Sequence, residues 1–116
     1  MKNMKTFFAI ALLLLVVFQL TDACFQQDNA RKAAALNKKF KGIKLTDKCV
    51  DGTFGCIGGK FVKCAFKKWV SFDCPPTETC SFLPLVNKPG TTCTCDTPAD
   101  IASRFKLARE CRGKTG

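Results

Sequence analysis

The apolar positions change their pattern several times along the chain, and each change predicts a different element. An unbroken apolar run from Phe7 to Phe18 comes first, preceded by Lys2 and Lys5 and closed by Gln19 and Leu20. Thr21-Asp22-Ala23 then offers a small residue at an exit point. A basic start, a short apolar core and a small-residue exit are the pattern of a cleaved secretory signal. The run falls short of the roughly 18 to 20 apolar residues that cross a bilayer. Residues 1–23 are therefore expected to be removed, leaving a secreted, oxidised chain that starts near Cys24.

Beyond this point apolar residues are sparser. Residues 28–41, DNARKAAALNKKFK, predict a helix capped by Asp28 or Asn29 and stopped at Gly42. Ala33, Leu36 and Phe40 share one narrow face, which suits docking on a larger body better than lying on a membrane. From Cys49 onward the pattern shortens to β-type runs. Phe54–Ile57 leads into Gly58-Gly59, suited to a two-residue hairpin turn; Lys60–Ala65 follows, then a turn near Phe66-Lys67-Lys68, then Trp69–Cys74. This predicts a three-stranded antiparallel meander, ended by Pro75-Pro76. Pro89-Gly90 marks a further turn before Thr92–Cys95. Thr97, Pro98 and Asp100 read as the capped start of a last helix with Ile101, Phe105 and Ala108 on one face. The expected organisation is a signal at 1–23, a helical leader at 24–48, a cysteine-rich module at 49–96, and a terminal helix and tail at 97–116. The fold class is small, disulfide-rich α+β.

Composition narrows the chemistry. The 116 residues hold nine Cys, 11 Phe and one Trp, with no His and no Tyr. Without histidine there is no Ser-His-Asp triad, no Cys-His dyad and no His-containing zinc site. Asp51, Asp73, Glu78 and Asp96 are available for acid–base work, but a domain this small rarely encloses the cleft that glycoside hydrolysis needs. A non-catalytic protein without a cofactor is expected. Without Lys2, Lys5 and Asp22 the mature chain has 17 basic and 8 acidic side chains, a charge of +9. No Asn-X-Ser/Thr sequon occurs.

The cysteines suit staples rather than metal or redox chemistry, since no C-x-x-C pair occurs. About 93 residues make a modest core, and disulfides at about 2–4 kcal/mol each offset that deficit. Nine is odd, and Cys24, at the expected new N-terminus, is the best candidate for the one left over: free, paired with another molecule, or lost if cleavage falls later. For binding, Trp69, Phe61, Phe66 and Phe72 lie on or beside the central hairpin, and flat rings can stack on the apolar face of a pyranose. Alternation separates Phe61, Lys63 and Ala65 from Val62, Cys64 and Phe66, and Trp69, Ser71 and Asp73 from Val70, Phe72 and Cys74. Which sets share a face depends on the turn register, and a lone Trp serves equally well as core. Aromatic and basic residues together also suit single-stranded nucleic acid, a partner that secretion argues against.

The stretch from Cys49 through Gly52, Cys56, GGKFVKC, the Lys-Trp-Val of KKWV, FDC, Thr79-Cys80 and Cys95 resembles a family 19 carbohydrate-binding module. ARKAAALNKKF, LPLVNKPGTTCTCDTPAD and ASRF resemble the flanks of small secreted fungal proteins that carry this module almost alone. The resemblance implies a chitin-binding protein, extracellular or wall-associated, whose partner is chitin or chitooligosaccharides. On that basis we expect N-acetylglucosamine to stack on Trp69, helped by Phe61, Phe66 or Phe72, with Asp73 or Lys63 bonding hydroxyl or acetamido groups. Phe66-Lys67 stands where the module often has Asn-Gly, which places Phe66 at an exposed tip. Cys93 and Cys111 exceed the six-cysteine set of Cys49, Cys56, Cys64, Cys74, Cys80 and Cys95, and are expected to bond each other and hold the last helix. The alternative expectation is a cationic antimicrobial or host-directed effector attracted to anionic wall polymers or membrane surfaces, without stable insertion.

Overall fold

The computed structural model describes residues 24–112; the expected signal at 1–23 lies outside them. Helix α1 (Phe25–Lys41) is followed by β1 (Phe54–Ile57), β2 (Lys60–Ala65), β3 (Lys68–Phe72), β4 (Thr79–Pro84), β5 (Thr91–Asp96) and helix α2 (Pro98–Arg109). Strands β1-β2-β3 form the expected antiparallel meander, while β4 and β5 pair as a separate two-stranded sheet. The small disulfide-rich α+β architecture is therefore present, with one sheet more than alternation reveals. Strand β4 (TCSFLP) is buried on both faces over most of its length, so it has no alternating pattern to read.

Both tight turns of the meander use two residues with positive φ: Gly58 and Gly59 at 60° and 79°, Phe66 and Lys67 at 55° and 62°. That is the geometry that matches strand twist in a two-residue hairpin. The resulting register sets Phe61 opposite Phe72, Lys63 opposite Val70, Cys64 opposite Trp69 and Phe54 opposite Lys63.

Helix α1 starts four to five residues earlier than its capping pattern predicts, with Cys24 at the N-cap in place of Asp28 or Asn29, and it stops at Gly42 as expected. It docks by its narrow apolar face: Ala30, Ala33 and Phe40 are buried. Phe40 packs on Phe82 at 5.1 Å between centroids and meets the Trp69 ring edge-on at 6.0 Å. A Cβ on Gly55 would overlap the Phe40 ring, so a glycine is required where helix meets sheet. Buried polar side chains fix α1 further. Asn29 donates to the Leu85 and Lys88 carbonyls and accepts from the Gly90 N–H, and Gln26 donates to the Val86 carbonyl. Asn37 accepts from the Phe82 N–H at 2.9 Å and donates to the Phe82 carbonyl. These bonds run from α1 to residues 82–90, so the helix is built into the core of the module.

Four disulfides join Cys24–Cys111, Cys49–Cys64, Cys56–Cys80 and Cys74–Cys95. Two expectations fail here. Cys24 is not the unpaired residue, and Cys111 does not bond Cys93; Cys93 is the free thiol. The reason is spatial. Helix α2 runs back beside α1, so the last turn of α2 ends next to the first turn of α1, where Gln27 donates to the Arg109 carbonyl at 2.8 Å. Cys93, held in β5 opposite Phe82, lies beside Cys56 instead. Closing an 87-residue separation, Cys24–Cys111 contributes about 4–5 kcal/mol in chain-entropy terms. Helix α2 has its expected cap, the Thr97 hydroxyl accepting from the Asp100 N–H at 3.2 Å, with Phe105 and Ala108 buried.

Candidate functional site: an aromatic face on the meander

Register divides the expected contact residues between two faces. Trp69 lies on the face that carries Val62 and Cys64 and is turned toward α1. Its ring is partly buried against Phe40, and its buried Nε1 makes no hydrogen bond among the described residues. Phe61, Lys63 and Phe72 lie on the opposite face. There Phe54, Phe61 and Phe72 form a row across the three strands, with centroids 5.8 and 6.2 Å apart and ring planes tilted by 37° and 49°. Phe54 and Phe72 are each about half exposed, and Val70 adds to the same surface. The Lys63 ammonium lies over the Phe54 ring at 5.5 Å, a cation–π contact that leaves its charge at the edge of the row.

Phe54 and Val70 belong to this face and were not among the expected contacts. The β1–β2 register would have found Phe54, since it sits opposite Lys63. Along β1 the same face continues into a hollow of about 320 Å³ shared by Phe54, Phe61, Phe82, Thr91, Thr92 and Cys93. The Cys93 sulfur lies 3.1 Å from Cys56 Sγ and 3.7 Å from Cys80 Sγ. Burial pushes its thiol pKa up to about 11. Although three sulfurs cluster here, two are committed to the Cys56–Cys80 bond, so the set offers a single thiol rather than a metal-ligand group.

Phe66 and Trp69 meet elsewhere. Together with Leu45, Thr46, Asp47, Lys48, Lys67 and Lys68 they line an open cleft of about 610 Å³ at the tip of the β2–β3 hairpin. Phe66 is 90% exposed there. Asp73 sits at the far end of the hairpin, paired with Lys60 at 3.3 Å and well exposed. Asp51 and Asp96 have structural roles. Asp51 accepts the Lys67 N–H at 2.6 Å, and Asp96 accepts the Thr97 N–H at 2.8 Å. A hydrogen bond from Asp100 lowers the Asp96 pKa, and the same bond raises that of Asp100.

Comparison with known proteins returns no matching family model, no matching curated protein and no matching solved structure.

Proposed function

We propose that the chain is a secreted, non-catalytic chitin-binding protein that holds N-acetylglucosamine polymers on the aromatic face of the meander. The observation that carries this reading is the row Phe54–Phe61–Phe72 on the solvent side of a rigid sheet. A contiguous, half-exposed aromatic row is uncommon on a soluble monomer unless it binds something. Rings held on strands present apolar area at little entropic cost, which suits the flat faces of successive pyranose units. Lys63 at the edge of the row is placed to donate to hydroxyl or acetamido oxygens. The sequence resemblance to a chitin-binding module supplies the ligand class. The four disulfides suit an oxidising compartment. Among the described residues no helix is long and apolar enough to cross a membrane.

Depletion of the oxidised protein by insoluble chitin, with cellulose as control and at low and high salt, tests the reading. Chitin-selective uptake that resists salt is expected, because stacking on a neutral sugar owes little to screened charge. The double substitution Phe54→Ser, Phe72→Ser is expected to weaken binding about fivefold to 150-fold, at about 0.5–1.5 kcal/mol per ring. Equal uptake by cellulose, or unchanged binding by that variant, overturns it. A second arrangement places the sugar on Trp69 and Phe66 in the tip cleft, where an aromatic wall meets Asp47 and Lys48. Loss of binding in Phe66→Ser with Phe72→Ser unaffected would select it.

A further inference from the structure

The hairpin tip carries a second surface, separate from the aromatic row on which the first arrangement seats chitin. Its turn, Phe66-Lys67, holds two successive residues in the left-handed region, a geometry that favours Asn-Gly. The Phe66 ring is 90% exposed, so the fold gains almost nothing from it. Residues 44–51 lie against this turn through the Lys48–Lys68 bridge and the bond from the Lys67 N–H to Asp51. Leu45, 41% exposed, lines the cleft with Phe66, and Val50, 76% exposed, directly precedes the Asp51 that bonds the turn.

Charge surrounds these apolar groups. Lys48, Lys67 and Lys68 are exposed, and no ion pair engages them among the described residues. The bridge sets Lys48 directly opposite Lys68, a like-charge pairing that costs stability. Asp47, the carboxylate in the cleft lining, accepts the Lys44 N–H at 2.9 Å. A neutral polysaccharide would leave the lysines without counter-charge. A soluble polyanion would leave Phe66 and Val50 in water. An anionic bilayer surface satisfies both, because apolar tips enter the headgroup boundary while lysine stems keep their ammonium groups among the lipid phosphates. The geometry points to Phe66, Val50 and Leu45, ringed by Lys48, Lys67 and Lys68, as a peripheral docking surface for anionic lipid bilayers.

Flotation of the full oxidised protein with phosphatidylcholine vesicles, with and without phosphatidylserine, tests this. Partition onto the phosphatidylserine vesicles alone is expected, and brominated acyl chains are expected to quench Trp69, the single tryptophan, whose ring lines the same cleft. Phe66→Asp should cut partition about tenfold or more. Each of Lys67→Gln and Lys68→Gln should cut it about fivefold. Phe72→Ser, on the aromatic face, should leave it unchanged. Val50→Asp, at a second position the fold does not bury, repeats the test should Phe66→Asp shift the denaturation midpoint. No partition onto phosphatidylserine vesicles overturns the proposal. So does partition that both aspartate variants retain, since that is generic cation attraction without a docking tip.

Discussion

The two faces of the three-stranded sheet are built from the same kinds of residue and meet opposite fates. Toward α1, Gly55, Ile57, Val62, Cys64 and Trp69 close on Phe40, and the space is so fully used that Gly55 has no room for a Cβ. On the other side Phe54, Phe61, Val70 and Phe72 stand in a row with only Lys63 laid across its edge. Each side has aromatic rings, so aromatic content alone assigns neither. Parity does. A one-residue change in the β1–β2 turn would invert both later strands relative to β1, turning Trp69 outward and Phe61 and Phe72 inward. One in the β2–β3 turn would invert β3 alone and part Phe72 from Phe61. An aromatic residue in a small module acquires its role from strand register before chemistry has a say.

Truncation on each face sharpens this difference, and its inner side should give the largest effect. Phe40 is buried between Trp69 and Phe82, so Phe40→Ala should cost about 3–5 kcal/mol in chemical denaturation. Phe72→Ala, half exposed, should stay within about 1 kcal/mol while weakening chitin uptake. Comparable losses of stability from the two would show that the outer row is core that happens to be uncovered, and would remove the basis for a binding face.

The elements with local signals were legible in the sequence. The Thr97-Pro98 start of α2, the Gly58-Gly59 turn and the docking stripe Ala33–Leu36–Phe40 are each specified by residues within a few positions of one another. What escaped depends on distant pairs. Strand β4 is buried on both faces and lacks alternation, so only its pairing with β5 identifies it. Asn29, Gln26 and Asn37 look like ordinary polar positions of a surface helix, yet their partners lie 45 to 61 residues away. Disulfide pairing is non-local as well. Treating Cys93 and Cys111 as a pair followed from their both being surplus to a six-cysteine pattern, whereas the antiparallel approach of α1 and α2 delivers Cys111 to Cys24. For the aromatic row, Phe61 and Phe72 were singled out but Phe54 was not, and the division between faces was not legible, because the register that divides them is fixed by turn geometry.

A smaller effect lies under the outer face, where the hollow beside Phe54 and Phe61 holds the free thiol. Burial raises the Cys93 pKa from 9.0 to about 11, so the folded thiol keeps its proton in a range where an unfolded one releases it. The unfolded state then binds fewer protons, and stability from this group, complete below about pH 9, declines as pH rises through about 11. Alkylation of Cys93 in the native protein should accelerate about tenfold per pH unit over that range. The thiolate lies beside Cys56; attack there forms Cys56–Cys93 and releases Cys80 as the thiolate, with no net oxidation. Peptide mapping after incubation at about pH 10 should therefore find some Cys56–Cys93 in the parent and none in Cys93→Ser. Native pairing in both would show that the hollow holds Cys93 out of line with the bond beside it. Fast alkylation near pH 7 would show that the hollow does not shield the thiol at all.

The smallest expected change is a gain, and it separates what the hairpin needs for folding from what its tip is for. Phe66 and Lys67 both occupy positive φ, a conformation that non-glycine residues adopt at a cost and that Asn-Gly adopts readily. The Lys67 N–H that bonds Asp51 is a backbone group, so glycine keeps it. Phe66→Asn with Lys67→Gly should therefore raise stability by about 1 kcal/mol, read as a higher denaturation midpoint at unchanged m-value. The face assignment on both sides of the sheet should persist, because turn length and type are retained. The same variant should lose partition onto phosphatidylserine vesicles while keeping its chitin uptake. A variant that gains stability and loses one binding activity shows that the natural turn gives up stability to present an exposed ring and its charge. If it instead loses stability, Phe66 and Lys67 make contacts that the fold uses, and the tip has no claim to be a surface reserved for a partner.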